Sequence, residues 1–156
     1  MTAGRLSCDD AVACGAAIVA LARQWIGTPY RHQASHKGVG ADCLGLVRGV
    51  FTEATGRIIP LPAPYARDWA ERCHEERLLD AARHYCGAPL PCGAALPGDI
   101  VIFRWQAGSA AKHAGILSPA RRFIHAYEPA GVIESPLTPS WARRIVGTFR
   151  IARTRD

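Results

Sequence analysis

The sequence predicts an α+β fold in which N-terminal helices pack on a C-terminal antiparallel sheet. Helical spacing of apolar residues and helix caps dominate as far as residue 85, whereas residues 99–152 form short β-branched and aromatic segments separated by turns. Helices followed by a run of strands are typical of this class. The 156 residues are enough for one domain, which we assign to residues 1–156.

The first predicted helix runs from about residue 10 to residue 25. Asp9 and Asp10 suit the start of a helix, and Gly27 suits its end. Apolar residues at helical spacing predict its buried face. They are Val12, Ala16, Val19, Ala20 and Ile26. The polar loop that follows, residues 31–40, is expected to lie on the surface or to line a cleft.

The second helix is predicted to begin at Asp42 or Cys43 and to run to about Thr55. Gly45 and Gly49 lie one turn apart on the same face of this helix. Two interior glycines weaken a helix, which is tolerated most readily where another backbone packs very close. We therefore expect the glycine face to press against the sheet.

Residues 58–98 are predicted to form a helical insertion between the second helix and the sheet. Residues 58–64 contain three prolines and read as an extended connector. Asp68 and Glu71 have the spacing of a capping box and predict a third helix that reaches Tyr85. Residues 87–98 are rich in proline and glycine and predict a loop.

Five strands are predicted after residue 98. Their limits are Asp99–Trp105, His113–Ser118, Arg122–Tyr127, Val132–Glu134 and Ile145–Ala152. Residues 118–120 have the composition of a turn, so the second and third of these strands are expected to pair as a hairpin.

Cys43 and two histidines of the predicted hairpin are the candidate reactive residues. Cys43 opens a helix, and the dipole at a helix N-terminus favours a thiolate. His113 and His125 lie near the same end of the hairpin, and their parity lets both side chains point to one face. One imidazole can then accept the thiol proton while the other orients it, which is the logic of a nucleophile, base and orienter.

Two other interpretations of these residues stay open. Cys43 alone could be an ordinary buried thiol. Together, Cys43, His113 and His125 could hold a catalytic zinc ion and a water, although the usual zinc motifs are absent from the sequence. We expect neither a metal nor a cofactor. Cys86 and Cys92 flank a loop and could form a disulfide.

Charge and composition exclude several classes of protein. The formal net charge is +6, which favours an anionic partner. Basic residues crowd the last third of the chain, at Arg121, Arg122, Arg143, Arg144, Arg150, Arg153 and Arg155. Interleaved aromatics and known binding motifs are missing there, so direct nucleic-acid binding is not expected. No apolar run is long enough to span a membrane. The N-terminus lacks a positive leader, so we expect synthesis in the cytoplasm without a signal peptide.

Five motifs, in this order along residues 11–150, resemble the NlpC-type cell-wall cysteine peptidases, which are papain-like enzymes of bacteria and phages. The motifs are Gly27-Thr-Pro-Tyr30, Gly38-Val-Gly-Ala-Asp-Cys-Leu-Gly-Leu-Val47, Pro97-Gly-Asp-Ile-Val-Ile-Phe103, His113-Ala-Gly-Ile116 and Phe123-Ile-His-Ala126. The resemblance implies a papain-like fold in which the helix that carries the nucleophile packs on the sheet.

The resemblance also implies a role for each matching residue. Cys43 resembles the nucleophile of the family, His113 the general base and His125 the polar residue that orients the base. Tyr30 resembles a tyrosine that stabilises the oxyanion or holds the substrate. Asp42 matches a position implicated in recognition of the stem peptide.

The resemblance further implies hydrolysis of amides in peptidoglycan stem peptides, most often between D-γ-glutamate and meso-diaminopimelate. Leu44 replaces the usual Ser or Gly and is expected to narrow the cleft mouth. The long segment 58–98 resembles the corresponding segment of family members that are encoded with phage tails and gene transfer agents. The resemblance implies that the partners are tail-hub or tail-tip proteins. Such a peptidase would ride on the particle and act in the periplasm of the target cell. Two alternatives are a non-catalytic docking component of a tail hub, and an amidase or acyltransferase on the same fold.

Overall fold

Four helices and two sheets make up residues 8–60 and 76–152, the part of the chain that the computed structural model describes. The helices are α1 (Cys8–Arg23), α2 (Cys43–Thr55), α3 (Arg77–Cys86) and α4 (Pro139–Ala142). The strands are β1 (Ser35–His36), β2 (Gly40–Ala41), β3 (Ile100–Phe103), β4 (His113–Ser118), β5 (Arg122–Tyr127), β6 (Gly131–Pro136) and β7 (Ile145–Phe149). Within these residues, no helix is both long and apolar enough to cross a membrane.

Strands β3 to β7 form one antiparallel sheet in the order β6-β5-β4-β3-β7. Ser118 pairs with Arg122, so β4 and β5 are joined by a turn of three residues, and Ala120 takes a left-handed φ of 61°. The predicted hairpin is therefore confirmed, as is the α+β class. Strands β1 and β2 form a small separate sheet within the segment that was predicted to be an irregular loop.

The large sheet is apolar on both faces. Ile102, Ile116 and Ile124 point to one face, where they join the main core with residues of α1 and α2. Side chains alternate along a strand, so their neighbours Phe103 and Phe123 point to the other face and form a smaller cluster. The helix that begins at Cys43 thus packs on one face of the sheet, as predicted. The second cluster lies on the opposite face of the sheet.

Helix α1 buries a different face from the predicted one. Its buried residues include Ile18, Val19 and Ala22, whereas Val12, Ala16, Ala20 and Ile26 are exposed. The helix is apolar nearly all round, so spacing alone does not identify the buried face. The close approach of another backbone identifies the buried face instead, because a side chain at Gly15 would overlap the carbonyl of Pro97.

Helix α2 spans the predicted residues and ends at Gly56, which has a left-handed φ of 73°. The prediction that a sheet packs against its glycines holds only for Gly45, which lies against the backbone of Ala34 and of Ser35 in β1, and neither glycine faces the large sheet. A side chain at Gly45 would overlap the carbonyl of Ala34, and one at Gly49 would overlap the ring of Trp25. The glycines therefore make room for the polypeptide that precedes the helix, while larger apolar residues of α2 face the core.

Helix α3 is the described part of the predicted insertion, and its Leu78 and Leu79 are buried. The predicted capping box at Asp68 and Glu71 lies outside the described residues. Cys86 and Cys92 are both free thiols, so the disulfide that the sequence left open is not formed.

Candidate active site

Cys43 is the first residue of α2, and the helix cap fixes its position. Asp42 is buried, and one of its carboxylate oxygens accepts a hydrogen bond of 2.8 Å from the backbone N–H of Gly45. The other oxygen accepts one of 2.8 Å from the backbone N–H of Gln33. Asp42 therefore ties the preceding loop to the first turn of the helix, which holds the thiol in place.

His113 and His125 form a direct hydrogen bond within the β4–β5 hairpin. Nε2 of His113 lies 2.8 Å from Nδ1 of His125, and the two residues are 5% and 1% exposed. The register, in which Ile116 pairs with Ile124, makes the two histidines diagonal neighbours on one face. Gly115 lies between them, and its missing side chain leaves room for the ring of His125. The predicted convergence of the two histidines is confirmed.

The second ring nitrogen of His125 has a partner on the next strand. Nε2 of His125 lies 2.9 Å from Oγ of Ser135 on β6. Ser135 pairs directly with Phe123 and is thus a diagonal neighbour of His125. Sequence reasoning missed this contact because the strand was predicted to stop at Glu134. Continuing its period-two pattern by one residue would have placed Ser135 on the histidine face.

Cys43 and His113 line one cavity of about 450 Å³. Sγ of Cys43 lies 3.6 Å from the carbonyl oxygen of Lys112, so the first turn of α2 meets the start of β4. Nε2 of His113 already contacts His125, and Nδ1 is therefore the ring nitrogen available to the thiol. The other lining residues are Tyr30, His32, Asp42, Leu44, Trp105, Lys112, Ala126, Tyr127 and Glu128.

The predicted binding residues thus lie at the same cavity as the thiol, whereas His125 does not line it. Tyr30 is held by a bridge to Ala41 just before the helix. Nδ1 of His32 lies 4.0 Å from the carboxylate of Asp42. Leu44 lines the cavity beside Cys43.

Aromatic rings cover the histidine pair. The ring of Trp105 stacks on His113 with centroids 5.3 Å apart, and that of Trp141 lies 5.6 Å from His113 and 5.3 Å from His125. Phe123 contacts His125 at 4.1 Å. Sequence reasoning missed Trp141 because the short helix α4 was not predicted. These rings exclude water, and their faces attract an imidazolium when one forms.

Burial shifts the site towards its uncharged form. Burial, followed by the negative charge of Asp42, raises the pKa of the Cys43 thiol to about 12. Burial and then the neighbouring His125 lower the pKa of His113, and burial lowers the pKa of His125. Backbone N–H groups of Cys43, Leu44 and Ala114 lower this pKa, and those at the helix start act in the direction predicted from the helix dipole, but burial outweighs them.

The neutral site can still separate charge by an internal proton transfer. Movement of the thiol proton from Cys43 to His113 creates a thiolate and an imidazolium together and leaves the net charge of the cavity unchanged. Burial opposes each ion alone much more than it opposes the adjacent pair. The geometry thus suits a nucleophile whose proton is taken by a neighbouring base during attack.

The alternative of a zinc site does not fit this arrangement. The facing nitrogens of His113 and His125 bond to each other, and the remaining nitrogen of His125 bonds to Ser135. Among residues 8–60 and 76–152, no three His, Cys, Asp or Glu side chains are grouped to hold a metal ion. The three residues therefore lack the convergent lone pairs that zinc requires.

Comparison with protein families settles the relationship that this geometry suggests. Residues 27–150 match the model of the NlpC/P60 family. The chain belongs to the NlpC/P60 family. The match includes Cys43 and both histidines of the site.

Two curated relatives illustrate the similarity to known proteins. The gamma-DL-glutamyl hydrolase of Bacillus subtilis (strain 168) is 32% identical over 151 residues, which cover 95% of this chain and 32% of that protein. The murein DD-endopeptidase MepS/murein LD-carboxypeptidase of Escherichia coli (strain K12) is 31% identical over 121 residues, covering 77% of this chain and 54% of that protein. The chain therefore spans between about a third and about half of the length of these relatives.

Solved structures confirm the fold. The NlpC/p60 domain of the peptidoglycan hydrolase SagA aligns with a TM-score of 0.61 and 25% identity, covering 86% of this chain and 97% of that domain. A lipoprotein-like NLP/P60 protein of Staphylococcus aureus aligns with a TM-score of 0.62 and 23% identity, covering 99% of this chain and 45% of that one. The papain-like α+β fold predicted by resemblance is therefore correct.

The paired thiol and imidazole predict an unusual pH dependence of alkylation. A free thiol reacts with iodoacetamide about tenfold faster for each pH unit up to about 8.5, because only its thiolate reacts. Cys43 should instead react at a nearly constant rate between about pH 6 and about pH 9, since its proton moves to His113 rather than to solvent. Mass spectrometry of the peptide that contains Cys43 measures this rate.

The control for alkylation is His113→Ala, which should restore the ordinary pH dependence of a thiol. A wild-type rate that follows the curve of free cysteine would show that Cys43 and His113 do not exchange a proton.

The buried histidines also predict that stability falls in acid. Both have lowered pKa values in the fold, so below about pH 6.5 the unfolded chain binds more protons than the native protein. The free energy of unfolding should fall between about pH 7 and about pH 5 by about 2 kcal/mol for each histidine. Urea titrations of the wild type and of His125→Gln measure this free energy. Between the same pH values, the variant should lose about 2 kcal/mol less than the wild type, which is the contribution of one histidine. Equal losses would contradict a neutral His125.

Proposed function

We propose that this protein is a cysteine endopeptidase that hydrolyses amide bonds in peptidoglycan stem peptides. The observation that carries the proposal is the cavity that Cys43 and His113 line together, with His125 hydrogen-bonded to His113 behind it. The names of the relatives, a glutamyl hydrolase and a murein endopeptidase, support the same class of substrate.

In the first step, the thiol sulfur of Cys43 attacks the carbonyl carbon of the substrate amide. Its proton passes to Nδ1 of His113, which becomes an imidazolium. The negative charge that develops on the carbonyl oxygen is stabilised by backbone N–H groups at the start of α2 and by the hydroxyl of Tyr30. His125 accepts the hydrogen bond from Nε2 of His113 and stabilises the imidazolium.

In the second step, the imidazolium of His113 donates its proton to the leaving amine, and the carbon–nitrogen bond breaks. A thioester on Cys43 remains. A water then attacks this thioester while His113 takes a proton from it, and collapse of the adduct releases a carboxylic acid and regenerates the thiol.

The bond that we propose is cleaved joins D-γ-glutamate to meso-diaminopimelate, as the family resemblance implies. The stem peptide carries several carboxylates, and Lys112 is one of the residues that line the cavity. The formal net charge of +6 favours the approach of such an anionic polymer. Asp42 is proposed to contact the peptide at the cavity wall while its carboxylate caps the helix.

A context on a phage-like tail particle forms the second part of the proposal. It is supported by the resemblance of the segment 58–98 to tail-associated members of the family. In that context the enzyme would open the cell wall for the delivery of DNA, and its protein partners would be tail-hub or tail-tip components.

Mass spectrometry of purified diaminopimelate-type muropeptides tests the activity. The wild type should yield fragments cut at the D-γ-glutamyl bond, and Cys43→Ala should be slower by a factor of about a thousand or more. Cys86→Ala is the matched control, because Cys86 is partly buried and lies outside the cavity, and it should cleave normally.

Other outcomes of this experiment separate the alternatives. Cleavage at a D-alanyl bond would keep the mechanism and change the specificity, in line with the name of the murein DD-endopeptidase MepS. Transfer of the acyl group to an amine would indicate an acyltransferase. Intact substrate with every variant would contradict the proposed activity and favour a docking role.

A further inference from the structure

We propose that Ser135 is a positioning residue that fixes the proton arrangement of the histidine pair, so that His113 presents an unprotonated nitrogen to the thiol. The inference rests on the proposed cysteine mechanism and adds a third member to the relay behind the nucleophile. Ser135 does not line the cavity and touches no reacting atom; it acts through His125.

The two ring nitrogens of His125 are held from opposite sides. Nδ1 lies 2.8 Å from His113, and Nε2 lies 2.9 Å from Oγ of Ser135. These contacts come from the strands on either side of β5, so the sheet itself sets the orientation of the ring. The rest of the His125 ring packs against the rings of Phe123, Tyr127 and Trp141.

The number of protons on the two neutral imidazoles assigns one direction to each hydrogen bond between His113, His125 and Ser135. A neutral imidazole carries one N–H, and the base needs Nδ1 of His113 free to accept the thiol proton. Its N–H must then be at Nε2, which donates to Nδ1 of His125. The N–H of His125 is consequently at Nε2, and it donates to the hydroxyl oxygen of Ser135.

Loss of this hydroxyl would favour the opposite arrangement. The N–H at Nε2 of His125 would lie unpaired in a buried aromatic environment, which is costly. Moving that proton to Nδ1 relieves the cost, and the bond to His113 then reverses. Nδ1 of His113 would carry a proton towards Cys43 and could not accept another one. Ser135 therefore stabilises the reactive arrangement from a position two strands away from β4.

The matched variants are Ser135→Thr and Ser135→Val. Threonine and valine have nearly the same shape and both suit a strand, but only threonine keeps the hydroxyl. Nitrogen-15 NMR of the histidine rings reports which nitrogen carries the proton and needs no substrate. We expect Nε2–H on His113 in the wild type and in Ser135→Thr, and an increased share of Nδ1–H in Ser135→Val.

Turnover provides the second readout. In Ser135→Val, kcat should fall at least about tenfold with KM nearly unchanged, whereas Ser135→Thr should stay within about twofold of the wild type. Ser118→Ala removes another hydroxyl of the same sheet, one that donates to Glu134, and should change neither readout. If Ser135→Val does not fold, Ser135→Ala takes its place.

Two results would overturn the role of Ser135. One is a Ser135→Val variant whose histidine rings carry their protons on the same nitrogens as in the wild type and whose kcat equals that of the wild type. The other is an equal loss in the threonine and valine variants, which would assign the effect to packing. If the wild type itself does not cleave muropeptides, the proposed function fails, while the NMR comparison still decides whether Ser135 sets the proton arrangement.

Discussion

The hydrogen bond between His113 and His125 is the interaction on which the site depends. It requires the register of β4 and β5, the three-residue turn between them and the missing side chain at Gly115. The strand on the far side of β5 supplies Ser135, which holds the other edge of the His125 ring. In the proposed mechanism, the antiparallel sheet therefore orients the base, and α2 carries the nucleophile at its N-terminus.

Burial gives this pair its chemical character. Both rings lie within an aromatic shell that includes Trp105 and Trp141, and neither His113 nor His125 gains a charge easily. In the proposed mechanism, the proton that leaves Cys43 passes to His113 and stays inside the cavity. Charge then appears when the substrate carbonyl is attacked, and fixed backbone dipoles offset it.

Sequence patterns predicted the parts of the molecule that local rules determine. The start of α2 at Asp42 or Cys43 follows from local residue preferences, and the hairpin parity follows from its turn. The buried face of α1 could not be predicted because this helix is apolar on all sides, so Gly15 and its close contact with Pro97 decide the face. The contacts of Ser135 and Trp141 depend on tertiary packing, since one lies at a strand end and the other on a four-residue helix.

Covalent capture of the acyl group on Cys43 tests the central claim most directly. Muropeptide turnover is quenched with acid at short times, and the peptide that contains Cys43 is weighed, with hydroxylamine added in a parallel reaction. We predict a mass increase equal to the acyl part of the substrate on Cys43, and release of that acyl group as a hydroxamate. Cleavage that continues with neither the adduct nor the hydroxamate would contradict nucleophilic catalysis by Cys43.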